Sequence, residues 1–237
     1  MRLLTWNILN GGGDRLDAIA TVVKRESPDL LALQELRGFD RRRIGTLADS
    51  LGMTAHLAPS VFGQAVAVLV RPPLRIDRAR SVTWRLHHAA AAVTVGPLTV
   101  VSTHLNPRSA YRRYREATWL AARYRRRGQV LIAGDLNACS PADDPDPAEG
   151  RSDPRAIGAF DRAGLIDLWR LAGSGPGATV PTAGGIGTSF RPMRIDYVFG
   201  TPAVVPRVRE VRVLRGGEIE RASDHYPVVV ELMTGNS

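Results

Sequence analysis

Short apolar runs alternate with amphipathic stretches along this chain. Residues 2–8 form an apolar run ending in polar groups, which predicts a strand. Gly11-Gly12-Gly13 predicts a turn. Leu16, Ile19, Ala20 and Val23 follow at helical spacing, with Asp14 as the expected N-cap and Ser27-Pro28-Asp29 as the breaker. Residues 30–33 predict a second buried strand ending at Gln34-Glu35. Ile44, Leu47, Ala48 and Leu51 make another helical face, stopped by Gly52. Residues 65–70, 81–86, 90–95 and 98–103 read as strands; Pro72-Pro73 ends the first, and Gly96-Pro97 turns between the last two. Ala110, Tyr114, Ala117, Ala121 and Tyr124 mark the stripe of a long Arg-rich helix closed by Gly128. The very apolar run 130–133 is a strand with Gly134-Asp135 at its end. Asp153-Pro154 reads as an N-cap followed by proline at the first helical position. Residues 195–199, 204–214 (interrupted at Pro206) and 227–232 complete the strands, and 139–154 and 173–187 are expected loops. Many strands with three or four interspersed helices predict an α/β sandwich. No repeat or linker divides the chain, so one domain over 1–237 is expected.

Composition narrows the class. At 237 residues, 44% hydrophobic and 23% charged, the chain can bury a core without disulfides and is unlike disordered, collagenous or coiled-coil sequences. Its apolar runs are far shorter than the roughly 18 residues that cross a bilayer, so no membrane partner is expected. The first residues show no signal-peptide pattern. The single cysteine, Cys139, excludes an intramolecular disulfide and a cysteine-rich zinc site. These features lead us to expect a cytoplasmic protein.

Net charge is +9, and 31 of the 32 basic residues are arginine. Residues 108–127 hold eight Arg against one Glu, whereas 139–153 hold five acids against one Arg. The basic stripe suits a polyanion, or equally a solvated helix face.

Polar residues recur where apolar strands end. Asn7, Glu35, His104, Asp135 and Asn137 each follow such a run, Asp196 lies within one, and Asp224-His225 precedes the last. Strand ends on a rigid sheet let several polar side chains converge. Taken singly, each has a bland explanation: a turn for Asn7 and Asp224, a cap or ion pair for Glu35, an Asx turn for Asp135-x-Asn137, a pairing with Arg194 for Asp196, structural roles for both histidines. Their number, type and placement point to a shared site.

The segments Thr5-Trp6-Asn7-Ile8, Leu33-Gln34-Glu35, Ser102-Thr103-His104-Leu105, Gly134-Asp135-Leu136-Asn137, Arg194-Ile195-Asp196-Tyr197-Val198 and Ser223-Asp224-His225-Tyr226-Pro227 resemble the endonuclease/exonuclease/phosphatase superfamily. That group includes abasic-site endonucleases, secreted deoxyribonucleases, neutral sphingomyelinases, inositol polyphosphate 5-phosphatases and deadenylases. The six matches run in the family's order from residue 5 to residue 227. The resemblance implies a four-layered α/β/β/α sandwich, two packed mixed sheets flanked by helices. It also implies divalent-metal-dependent cleavage of phosphoester bonds, with Mg²⁺ or Mn²⁺ as cofactor.

By the same resemblance, Glu35 is the principal metal ligand, assisted by Asn7 directly or through water, with Asp224 as a further metal contact or a group just behind the ligands. His225 faces the scissile phosphate and Asp196 fixes its tautomer. Asp135 orients or deprotonates the attacking water or helps protonate the leaving oxygen, Asn137 holds the water or a phosphoryl oxygen, and His104 is a second phosphate-facing donor. Such chemistry asks for a hard cation and hydrogen-bond donors where phosphoryl charge builds. Leu9 stands where some DNA-repair members carry a second carboxylate, and His104 where they carry tyrosine. Both departures point toward the histidine-bearing nucleases and sphingomyelinases. The candidate specificity loops are 39–43, 106–115, 139–154 and 173–192. Arg108, Arg112 and Arg113 are expected to reach substrate phosphates; Trp6, Tyr111 and Phe190 are candidates to stack on bases, with core packing the first expectation for Trp6 and loop anchoring the alternative for Phe190. The leading expectation is a nuclease on DNA or RNA. A phosphatase or phosphodiesterase for a small molecule or lipid headgroup is the alternative, and a non-catalytic binding module comes third.

Overall fold

The structure, a computed structural model, describes residues 1–141, 143, 153–185 and 191–233. Its strands are β1 (Arg2–Asn7), β2 (Leu30–Arg37), β3 (Thr54–Ala58), β4 (Gln64–Val70), β5 (Arg78–Val82), β6 (Ala89–Val95) and β7 (Leu98–His104), then β8 (Gln129–Asp135), β9 (Ile166–Asp167), β10 (Gly173–Ser174), β11 (Asp196–Gly200), β12 (Val208–Val213) and β13 (Val228–Leu232). The helices are α1 (Leu16–Glu26), α2 (Arg41–Leu51), α3 (Ala110–Tyr124), α4 (Arg155–Arg162), α5 (Leu168–Ala172) and α6 (Ile219–Ala222). Seven strands form one mixed sheet in the order β10-β12-β13-β1-β2-β4-β3, and six form a second in the order β5-β6-β7-β8-β11-β9. β1 pairs parallel with β2 and β7 parallel with β8, so these four strands deliver their C-terminal ends to one edge of the sandwich.

The period-2 pattern sorts side chains between layers. Leu3, Leu30, Ala32, Val66 and Val68 meet Ala91, Val93, Val100, Leu131 and Ala133 between the sheets. Their alternate neighbours Leu4, Trp6, Leu31 and Leu33 face α1 and α2 through Ile19, Val22, Ile44 and Leu47. On the other outer face Ala90, Val101, Val130 and Ile132 pack on Ala117, Leu120, Ile157 and Phe160 of α3 and α4. The result is a four-layered α/β/β/α sandwich, as the sequence resemblance implies. Small alanines along β6 let the sheets approach closely while each fully buried Leu or Val contributes roughly 1.5–3 kcal/mol.

One polar seam crosses this dry interior. The fully buried Gln34 donates through Nε2 to Thr5 Oγ1 (3.1 Å), to the Ala32 carbonyl (3.2 Å) and to Ser102 Oγ (3.0 Å), and Ser102 Oγ donates to the Leu33 carbonyl (3.0 Å). It ties β2 to β7 directly beneath the strand ends. Gly134 is its steric counterpart: at φ +141°, a Cβ there would lie 2.0 Å from the Thr103 carbonyl oxygen.

Several boundaries differ from the sequence reading. Asp14 is not a cap: it lies in a 3₁₀ turn (Gly13–Arg15), and α1 starts after Arg15 without a side-chain cap. β2 does not stop at Leu33; it continues to Arg37 through a register irregularity between Leu33 and Leu36. The strand expected at 81–86 is displaced to Arg78–Val82, and β3 was not expected at all. Asp153 accepts from the Arg155 amide, but Pro154 occupies the cap position and α4 begins one residue later than anticipated. No described helix is long and apolar enough to cross a membrane.

Candidate active site

Glu35, His104, Asp135, Asn137, Asp224 and His225 line one cleft of about 650 Å³, and Asn7 and Asp196 stand behind it, hydrogen-bonded to its lining residues. Asn7 and Glu35 arrive on β1 and β2, His104 and Asp135 on β7 and β8. Asp196 starts β11, while Asp224 and His225 lead into β13. The site therefore straddles both sheets.

Asp135 is its hub. Its Oδ2 accepts from Asn7 Nδ2 at 3.1 Å and lies 3.4 Å from His104 Nε2 and 3.9 Å from His225 Nε2, while Oδ1 accepts from the Asn137 amide at 2.8 Å. Burial would raise the Asp135 carboxyl, but His104, His225 and the Asn137 amide outweigh it and hold it well below the usual range. His104 is raised, because Asp135 and then Glu35 outweigh the burial that would lower it. The acidic partner of His104, not evident in the sequence, is thus Asp135.

His225 Nδ1 pairs with Asp196 Oδ2 at 2.8 Å, fixing the ring's orientation and leaving Nε2 to the cleft. Burial opposes its charge, yet Asp196, Asp135 and Asp224 take its pKa up to about 10, so the ring is an imidazolium at neutral pH. Its backbone is held as well: Trp6 Nε1 donates to the His225 carbonyl at 2.8 Å, and Ser223 Oγ to the Asn7 carbonyl at 2.6 Å.

Glu35 Oε1 accepts from Asn7 Nδ2 (3.1 Å) and Oε2 from the Asn10 amide (2.9 Å) and Gln64 Nε2 (3.4 Å). Its own φ is +58°. Leu9, Asn10, Glu35 and Asn137 are four of the five non-glycine residues with positive φ among the described residues. Such backbone costs of order 1–3 kcal/mol per residue and clusters where side chains must be aimed.

Glu35, His104 and Asp135 each offer a ligand atom within 4.8 Å of the others, a group able to hold a metal ion. Asp224 belongs to no such group but lines the same cleft, and its carboxyl is pushed up by burial and then by the charges of Glu35 and Asp135. A carboxyl pushed up by burial and by neighbouring negative charge, in a site rich in oxygen donors, fits a hard divalent cation. Asn7 sits beside Glu35 and Asp135. Its amide hydrogens brace Glu35 and Asp135, and its oxygen accepts from the Leu9 amide at 3.0 Å, so it positions both carboxylates.

Asn137 Nδ2 donates to the Leu105 carbonyl at 3.1 Å. Arg108 and Arg112 line the cleft; Arg113 does not. It is buried and donates to the Asn106 carbonyl at 2.8 Å, a structural role rather than a substrate contact. The 39–43 segment is no cleft loop either: Asp40 caps α2 and Arg43 lies over the Phe39 ring. Trp6 is core, Tyr111 is exposed but outside the cleft lining, and Phe190 lies outside the described residues, as does most of 139–154.

The sequence reading missed Arg37, Phe62, Gln64, His87 and His88, all of which line the cleft. A signal existed. Four of the chain's five histidines converge here, and His87-His88 precedes an apolar strand just as Asp224-His225 does.

Known proteins share this architecture. The family model "Endonuclease/Exonuclease/phosphatase family" matches residues 4–225. Among solved structures, a 3' phosphatase from Neisseria bound to product DNA hairpin is 23% identical, with 99% of this chain and 100% of that one covered and a TM-score of 0.80. An AP endonuclease from Archaeoglobus fulgidus is 17% identical (99% and 100% covered, TM-score 0.78), and a mannosyl-6-phosphatase from Bacteroides thetaiotaomicron is also 17% identical (99% and 100%, TM-score 0.72). No match is found among curated protein sequences. The chain belongs to the endonuclease/exonuclease/phosphatase family, whose enzymes depend on a divalent metal, and it is a phosphoester hydrolase.

Proposed function

We propose that this enzyme is a Mg²⁺- or Mn²⁺-dependent nuclease. The observation that carries the reading is the guanidinium rim: Arg37, Arg108 and Arg112 line the same cleft as the carboxylate–imidazole cluster. A phosphate undergoing cleavage needs the cluster; further cations beside it suit neighbouring phosphates of a polymer. The Neisseria relative bound to a DNA hairpin is consistent with this reading.

Glu35 and Asp135, which share one donor cluster, would hold the metal, with Asp224 lining the same cleft; when bound, the metal would supply Lewis-acid neutralisation of phosphoryl charge and a more acidic water. The protein's own groups do the rest. The His225 imidazolium donates from Nε2 to a phosphoryl oxygen as negative charge builds, a kind of contact worth roughly 10²–10³ in rate. Asp135, held ionised, orients the attacking water and accepts its hydrogen bond. Asn137 and His104 complete the ring of groups around the phosphate.

A second reading, a phosphatase or phosphodiesterase for a small molecule or lipid headgroup, uses the same cluster with the arginines as a pocket. It is favoured by the full-length similarity to the mannosyl-6-phosphatase. A metal-supplemented screen over single- and double-stranded DNA and RNA, nucleotides and sugar phosphates separates the two. Cleavage of polymers that stops with chelator, and weakens steeply with salt, is expected. Intact polymers alongside turnover of a small phosphorylated compound would refute the nuclease reading.

A further inference from the structure

One wall of the cleft is a row of rings that hydrolysis itself does not require. Phe62 sits at the tip of the 59–63 turn between β3 and β4. There its amide donates to Ser60 Oγ (3.1 Å), and the Gly63 amide donates to the Ser60 carbonyl (3.1 Å). Its ring is 60% exposed, yet it stacks on His87 with centroids 4.1 Å apart and planes at 22°. His87 meets His88 edge-on at 4.5 Å, and His88 stacks on His104 at 4.4 Å and 24°. The row runs from the rim of the cleft to a candidate catalytic imidazole. Neither nitrogen of the buried His88 has a hydrogen-bond partner among the described residues, so stacking is what this ring contributes.

The row is built in register with the arginines. Buried Glu116 accepts from the His87 amide through Oε1 and from the Asn106 amide through Oε2, both at 2.7 Å. Asn106 Oδ1 in turn accepts from the amides of Arg108 and Ser109. One carboxylate thus fixes the ring wall and the arginine loop together. An exposed aromatic face beside a pair of guanidiniums is the pattern that takes a base and its adjoining phosphate.

We propose that the Phe62–His87 pair is a stacking platform for an unpaired nucleobase next to the scissile phosphate, with Arg108 and Arg112 on the adjoining phosphate. This rests on the nuclease reading and makes it narrower. A base within a duplex is already stacked on its neighbours and must leave them to reach the platform, so single-stranded or frayed ends are the preferred substrates. A sugar phosphate has no π-face and gains nothing from Phe62.

The test uses short single-stranded oligonucleotides carrying a base-free tetrahydrofuran residue on one side or the other of the scissile phosphate. At one of the two positions the wild type should lose about tenfold or more in kcat/KM, the scale of one base–aromatic stack. Phe62→Ala should show the same loss on the intact oligonucleotide and then be indifferent to the missing base, and Phe62→Tyr should restore both. The ring is exposed at the tip of a turn, so the alanine variant keeps its fold, which a thermal melt verifies. In chelator, a 2-aminopurine at the same position should be quenched on binding wild type and not on binding Phe62→Ala. Losses from Phe62→Ala and from base removal that simply multiply, or no loss from either, overturn the platform and leave the nuclease reading standing. If no oligonucleotide is cut while a sugar phosphate is turned over, both fall.

Discussion

Replacing Asp196 with Asn tests the electrostatic core of the site. The substitution keeps the side chain's shape and an acceptor oxygen but removes the charge 2.8 Å from His225 Nδ1. A hydrogen bond to a charged group is worth roughly 1.5–3 kcal/mol and a neutral one roughly 0.5–1.5, and the burial that opposes the imidazolium is then less fully answered. The His225 pKa, held at about 10, should fall by roughly one to two units, at about 1.4 kcal/mol per unit. Since the protonated ring is the working form, the alkaline limb of kcat/KM should move to lower pH by that amount. Activity should fall more steeply at alkaline pH than at neutral pH. The same pair sets a stability window. A histidine raised in the folded state stabilises fully below its unfolded value of about 6.5 and loses that contribution as pH climbs through its folded value. In chelator, the wild type should therefore lose stability between about pH 6.5 and 10, and Asp196→Asn should complete its loss at lower pH. A pH–rate series with NMR titration of His225 reads both. An unmoved alkaline limb, or an equal loss of rate at every pH, would refute the reasoning.

Glu35→Gln should weaken metal binding on the order of a hundredfold or more, read by metal titration, since even groups behind the ligands cost 10–100-fold. Its melting temperature in chelator should stay level or rise, because the repulsion with Asp224 is relieved; a clear drop would contradict the proposed charge crowding. Gly134→Ala should cost at least ~3 kcal/mol in urea unfolding, since its Cβ meets the Thr103 carbonyl at 2.0 Å on a positive-φ backbone. Arg112→Ala should raise KM for a polymer and flatten its salt slope by about one while leaving the melt unchanged. Arg113→Ala should do the reverse, destabilising the fold with little change in salt slope; equal behaviour of the two variants would contradict their placement.

Much of the site was legible because hydrolytic chemistry leaves polar residues where apolar strands stop. Asn7, Glu35, His104, Asp135, Asp196 and His225 all stood out in that way, and the sheets bring them together. What was illegible depended on three-dimensional paths. β3 is only half-buried, so Thr54–Ala58 carries little alternation. Residues 81–86 look like a strand because Val82, Thr83 and Trp84 favour one, yet Trp84 is 96% exposed and the chain leaves the sheet after Val82, ahead of the cleft-lining His87 and His88. Arg113 was readable and was misassigned: it falls in helical phase with Ala117, Leu120 and Tyr124, the buried face of α3, whereas Arg112 does not.

The Gln34 seam has a consequence for how this enzyme can diversify. Its reactive groups come from two separate slabs, so a slip of one strand position, about 3.3 Å, would pull Glu35 out of reach of Asp135. An all-apolar interface offers little resistance to such a glide, whereas the Gln34–Ser102 and Ser102–Leu33 hydrogen bonds, with Gln34 itself held by Thr5 and the Ala32 carbonyl, act as a dowel between the two slabs. With the frame pegged at that point, the turns hanging beyond it can be lengthened, recharged or swapped, and new substrates adopted, while the bond-breaking geometry underneath stays in alignment.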